Sequence, residues 1–356
     1  MPGRRSGWLA LLLAVAISSG CAERAPLLKA ELWVEADTLF TSDARFIGGD
    51  GAYSVDLGRG RVLWMFGDSY IALTPERRRD HSWMVRNCVA VQTGYDPEHA
   101  AMTFYYRWED RHPASFFPEV GPLWYWPGPG IRLGDQLLLF GGRLYQASEG
   151  MWGFEDEASV AFVIDNPDDE PSAWNLHETP LPPESTELQM GGALLVDDDY
   201  LFVFATQGDG HDVYLARIEL GRASAGDLSE ARWWNGASFG SAGERKVVID
   251  FGAPEYSVHF AEALGQYLYV ATEGFGATTL AVRSAPAPWG PWTEPRDIVR
   301  PPESFVKDAF VYAGKAHPEL SGAELVATYV PSNFRGAAAD PDERLYYPRF
   351  LRLEYP

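Results

Sequence analysis

Two cysteines and seven histidines are all that 356 residues offer as soft metal ligands. Cys88 has no second cysteine within the mature domain to pair with, so disulfides do not hold this fold. Its setting, VRNCVAVQT, alternates like a strand and marks a buried structural thiol rather than a nucleophile. The histidines form no tight cluster, and HExxH, GxSxG and P-loop patterns are all missing. Zincin, serine-hydrolase and nucleotide-triphosphatase chemistries are therefore set aside, and no metal site is expected. Basic residues are scarce too: 29 Lys and Arg stand against 50 Asp and Glu, for a net charge of −21. That balance argues against nucleic acid or an anionic lipid surface as a partner. Beyond the N-terminal segment, no window of twelve residues or more shows a helical period.

The N-terminal segment reads as an export signal. Arg4 and Arg5 form its basic start, Trp8 to Ile17 its apolar stretch, and Ser18-Ser19-Gly20-Cys21 its small-residue end. An apolar stretch of about ten residues is too short for a hydrocarbon core of ~30 Å, so this is no transmembrane helix. The ending resembles a bacterial lipoprotein box with Cys21 as the lipidated residue, although Ser18 stands where such boxes prefer Leu. Expected boundaries are a signal peptide over 1–20, a tether over 21–30 and one domain over 31–356. The expected location is a membrane-anchored lipoprotein of the cell envelope, periplasmic or surface-exposed, or otherwise a secreted protein. Membrane contact is expected only through the lipid.

What the chain has in quantity is aromatic residues, 14% of the total, and an internal repeat. The run LWMFGD from Leu63 recurs as LLLFGG from Leu137, LFVFAT from Leu201, LYVATE from Leu268 and LVATYV from Leu325, at spacings of 74, 64, 67 and 57 residues. Each copy follows a polar or Gly-containing turn and an earlier strand-like run. Five units of this length predict an all-β, five-bladed β-propeller with blades of about four antiparallel strands. The fifth unit runs out of chain before its fourth strand. Glu31–Glu35 is expected to supply it and close the ring, which removes exposed sheet edges.

Within the first unit, Asp50 to Asp68 reads as a β-hairpin around Leu57-Gly58-Arg59-Gly60-Arg61. With a three-residue loop, opposed residues have numbers that add to 118, which sets Asp50 against Asp68 at the open end. Directly opposed side chains lie roughly 4.5–5.5 Å apart at Cβ. Two carboxyls that close repel, and like-charge proximity separates their pKa values into an acid and a base. Each aspartate alone would pass for a turn-capping residue. The other units carry Gly142, Thr206, Glu273 and Val330 at the position of Asp68, so the fold does not require an acid there. Glu273 is thereby a candidate third carboxylate.

Trp124 and Trp126, ahead of a Pro-Gly-Pro-Gly turn, are candidate sugar-stacking residues, though core packing accounts for most tryptophans as well. Asn87, His259 and His317 are candidate substrate contacts in apolar strand settings, where a satisfied structural group is the commoner outcome. Lys315 shares that setting. Arg77-Arg78-Arg79 follows the Asp68 mouth and reads by default as a solvated loop.

The run Asp50–Ser69, the strand MVRNCVAVQTG, the WPGPGI segment, APAPWGPWTEP and the end KAHPEL…LYYPRFLRL together resemble bacterial five-bladed propellers of domain of unknown function 4185. That family is related in architecture to glycoside hydrolase families 43 and 62 and includes endo-D-arabinanases. The resemblance implies a glycoside hydrolase acting on a furanosidic, arabinan-type or related polysaccharide, with catalysis carried by Asp50 and Asp68. The alternative is a non-catalytic surface lipoprotein of the same fold that binds glycan or protein. No cofactor is expected, and a central channel leaves room for a structural calcium or sodium ion.

Overall fold

A computed structural model describes residues 24–150, 152–208, 210–273, 279–334 and 345–356. The signal segment and Cys21 lie outside the described residues.

Five antiparallel sheets form five blades. Their innermost strands are Phe46–Gly58, Leu123–Leu133, Gln189–Asp197, Tyr256–Ala261 and Ala309–His317, and these touch in a closed circuit around a central channel. The repeated apolar runs are the second strands, Arg61–Ala72, Gln136–Gln146, Tyr200–Gln207, Gln266–Thr272 and Leu325–Asn333. They are buried on both faces, which is why they read as nearly continuous hydrophobic runs. Five hydrophobic clusters fill the spaces between successive blades, so each blade is held by its two neighbours. The protein is a five-bladed β-propeller.

The ring closes through the N-terminus. Lys29–Leu32 pairs antiparallel with Arg349–Glu354, making it the outer strand of the last blade. It lies two residues earlier than expected, because Val34–Thr41 turns into a short helix instead of continuing the strand. Ala36, Leu39 and Phe40 are the buried residues of that helix, and Phe40 stacks on Phe350 with ring centroids 4.8 Å apart. Ala25 and Leu28 are buried against the fourth and fifth blades. The segment read as a tether is therefore docked from Ala25 onward.

The Pro-Gly-Pro-Gly segment corrects another expectation, since it is no turn. Leu123–Leu133 is one strand whose register slips opposite Leu139–Gly141. A Cβ on Gly141 would sit 2.5 Å from the Trp126 carbonyl, so the glycine lets two backbones approach at the channel.

Candidate active site

All five inner strands begin at one mouth of the channel, and Asp50 stands near the start of the first. The hairpin register follows the expected sum of 118 from Tyr53↔Met65 to Asp56↔Val62, and again at Gly49↔Ser69. Between them the ladder bulges. Gly51 pairs with Phe66, and Gly51 and Ala52 both take positive φ, 76° and 53°. Asp50 therefore faces the stretch Gly67-Asp68 rather than one residue. Gly67 is needed there, because a Cβ would come within 2.5 Å of Asp50 Oδ1.

Asp50 Oδ2 accepts two tyrosine hydroxyls, from Tyr312 at 2.7 Å and Tyr346 at 3.1 Å. Tyr346 is also 3.0 Å from the Asp68 carbonyl oxygen, which ties the two aspartates to one phenol. Burial pushes the Asp50 carboxyl up to about 7, and the charges of Asp68 and Glu255 add to the rise while the two tyrosines oppose it. Asp68 has different company. Trp126 Nε1 donates to its Oδ1 at 2.9 Å, and Arg86 lies 3.3 Å from its Oδ2. Burial raises its pKa as well, against the pull of Arg86 and Trp126. Arg86 reaches Asp68 because Phe66↔Cys88 and Ser69↔Val85 bracket the pair in one register. Its guanidinium lies 4.1 Å over the Trp124 ring.

The third carboxylate acting on Asp50 is Glu255, directly ahead of the inner strand of blade four. It is paired with Lys315 at 3.0 Å, and Lys315 is only 2% exposed. The ammonium also donates to the Gly51 and Ala313 carbonyls and lies 4.3 Å over the Tyr53 ring. This layer separates the mouth from a cavity of about 500 Å³ at the other end of the channel, lined in part by Ser54, Arg132, His317 and Glu319.

Glu273 is held elsewhere, in an ion pair with Arg283 at 3.1 Å. Asn87 is a structural latch. Its amide donates to the Phe117 and Tyr125 carbonyls and accepts from the Phe117 backbone N–H, and the residue is fully buried. His317 lies toward the rear, bonded to Ser54 at 2.5 Å and Thr328 at 2.8 Å, and is kept neutral by burial. His259 is buried, neither ring nitrogen has a partner, and burial lowers its pKa to about 4. Neither histidine reaches the mouth. Trp124 is 4% exposed and supports Arg86, whereas Trp126 is part of the site. Arg79 is a buried clamp on the Ile47 and Leu345 carbonyls, not a solvated loop residue. The Cys88 thiol is buried and pushed up to about 12, in keeping with an inert structural role.

Tyr312, Tyr346 and Glu255 surround Asp50 in the candidate site and have no mark of their own in the sequence. They come from blades four and five, and only ring closure brings them to blade one. No group of three or more His, Cys, Asp or Glu among the described residues could hold a metal ion.

A five-bladed propeller whose mouth holds Asp50 under the charges of Asp68 and Glu255 thus defines the candidate site. The chain belongs to the family described as "Domain of unknown function (DUF5005)", whose model matches residues 35–355. That is a different family from domain of unknown function 4185, which the sequence motifs resemble. No curated protein sequence matches the chain significantly. Among solved structures, a protein of Bacteroides ovatus provisionally called a hydrolase is similar at 17% identity and a TM-score of 0.70, over 94% of this chain and 93% of its own. An α-L-arabinofuranosidase from Lactobacillus brevis is matched at 12% identity and 0.47, over 86% of this chain and 90% of its own. A GH43_1 enzyme from Xanthomonas citri is matched at 12% and 0.46, over 89% and 92%. At 17% identity the likeness to the Bacteroides ovatus structure speaks for the fold alone.

Proposed function

We propose that this protein is an exported, lipid-anchored glycoside hydrolase that cleaves a furanosidic, arabinan-type or related polysaccharide. The observation that carries this reading is Asp50, a carboxyl at the propeller mouth with its pKa brought to about 7 beside the charges of Asp68 and Glu255. A group titrating near the working pH is suited to moving a proton in the transition state. Asp50 is the proton-transferring carboxyl. Asp68, with Trp126 and Arg86 on its two oxygens, is the second carboxyl, oriented to face the positive charge that develops on the sugar ring. Glu255, paired with Lys315, is the third carboxylate. In the reaction the glycosidic C–O bond breaks, a proton passes to the leaving oxygen, and the hydroxyl of water ends on the anomeric carbon.

A reducing-end assay against arabinans, arabinogalactan and peptidoglycan tests the reading. New reducing ends from one of them support it. Saturable binding without product supports the non-catalytic binder instead.

A further inference from the structure

Two sets of aromatic contacts, joined by the chain between Trp152 and Phe154, run from the partner of Asp68 to a partner of Asp50. Trp126, which donates to Asp68, meets Phe154 edge-on with ring centroids 4.6 Å apart. Two residues before Phe154, Trp152 reaches Phe310 of blade five at 6.2 Å. Phe310 meets Tyr312 at 5.2 Å, and Tyr312 donates to Asp50. Blades two and five both flank blade one, so the Trp152–Phe310 contact spans the end of the blade on which both carboxyls stand.

Trp152 is not a stray surface residue. Its hairpin is tied internally: the Ala147 and Ser148 N–H groups both bond the Gly153 carbonyl, at 2.8 and 2.9 Å, and the Gln146 amide holds the Ser148 and Gly150 carbonyls. Gly153 cannot be replaced without moving this loop, since a Cβ would collide with the Ser148 carbonyl. A large apolar ring is thus held half-exposed, 49%, on a built support beside a polar site. Tryptophan in that setting offers a face on which the C–H side of a sugar ring stacks.

We propose that Trp152 is the stacking face of a subsite for one terminal sugar ring, and that the Trp152–Phe310 span makes the site take glycan chains by their ends. This rests on the glycoside hydrolase reading and deepens it. A chain bound through its middle would have to thread beneath the span, whereas a chain end enters without crossing it.

The test compares the wild type, Trp152→Ala and Trp152→Phe on arabinans, arabinogalactan and peptidoglycan, with product lengths followed over time on any that is cleaved. A parallel titration measures binding of oligosaccharides from each of these glycans to each protein by calorimetry, whether or not they are cleaved. The wild type is expected to release short products from chain ends. Trp152→Ala is expected to raise KM and the oligosaccharide Kd about tenfold, with kcat within about twofold, and to add internal cuts. Trp152→Phe is expected to restore most of both. Unchanged KM, Kd and product lengths in Trp152→Ala would overturn the subsite while leaving hydrolysis standing. Trp152-dependent binding of chain ends without hydrolysis by the wild type would leave the subsite standing and remove the hydrolase reading.

Discussion

Tyr312 and Asp50, 262 positions apart, are joined by a 2.7 Å hydrogen bond from blade five to blade one. Together with Tyr346 it favours the ionised carboxylate against burial and two neighbouring negative charges. Tyr312→Phe removes one of the two hydroxyls, so the Asp50 pKa moves upward from about 7. The limb of the pH–rate profile that reports Asp50 is expected to shift to higher pH, while Tyr70→Phe leaves it in place. A profile unchanged by Tyr312→Phe would show that this limb belongs to another group.

The same pKa has a consequence for stability. In the unfolded chain Asp50 titrates near its ordinary value of 3.8, and in the folded protein at about 7. Between those values the folded state binds the extra proton, so stability falls as pH rises from about 4 to 7. Asp50→Asn removes the buried charge and keeps an acceptor for the tyrosines. Thermal melting is expected to show Asp50→Asn more stable than the wild type by at least about 2 °C at pH 8, with the gain shrinking towards pH 4. A uniform shift across pH would contradict the assignment.

Arg86 acts on Asp68 through charge and on Trp124 through its planar guanidinium. Arg86→Met is expected to raise the Asp68 pKa and to lower kcat/KM about 100-fold. Arg86→Lys should recover only part of that, since an ammonium does not reproduce the stacked plane. Full recovery by lysine would show that charge alone matters.

Lys315 and Glu255 form a pair whose members do not tolerate separation. Lys315→Met leaves Glu255 and two backbone carbonyls without their cation and is expected to cost about 3–5 kcal/mol in denaturant unfolding. The double variant Lys315→Met/Glu255→Gln should regain much of that stability, and a strictly additive loss would rule out the coupling.

Ring closure by Lys29–Leu32 is tested by truncation. Loss of residues 24–32 exposes the edge of Arg349–Glu354 and uncovers the pocket of Ala25 and Leu28. A lower melting temperature and concentration-dependent aggregation are expected.

Blade positions were legible because second strands buried on both faces write themselves as apolar runs at a regular spacing. The hairpin sum of 118 was legible for the same reason, since one turn sets the register of every pair beyond it. The bulge at Gly51 and Ala52 was not, because positive φ at an alanine leaves no mark in composition. Val34–Thr41 was missed as a helix because two turns are too short to show a period. The nearness of Asp50 and Asp68 was legible on blade one, where the two are close in sequence. Glu255, Tyr312 and Tyr346 were not, since their relation to Asp50 exists only once the ring is closed. His259 and His317 mislead for the converse reason: a polar residue in an apolar strand belongs to whatever packs on it, which for His317 includes Thr328, while neither His259 ring nitrogen has a hydrogen-bond partner. Glu273 matches Asp68 in the repeat but is paired with Arg283.

The most direct measurement is product release by the wild type, Asp50→Asn and Asp68→Asn, each confirmed folded, on the glycan that responds in the reducing-end assay. The account predicts a loss of at least about 100-fold in kcat for each variant. Full activity in both would contradict it.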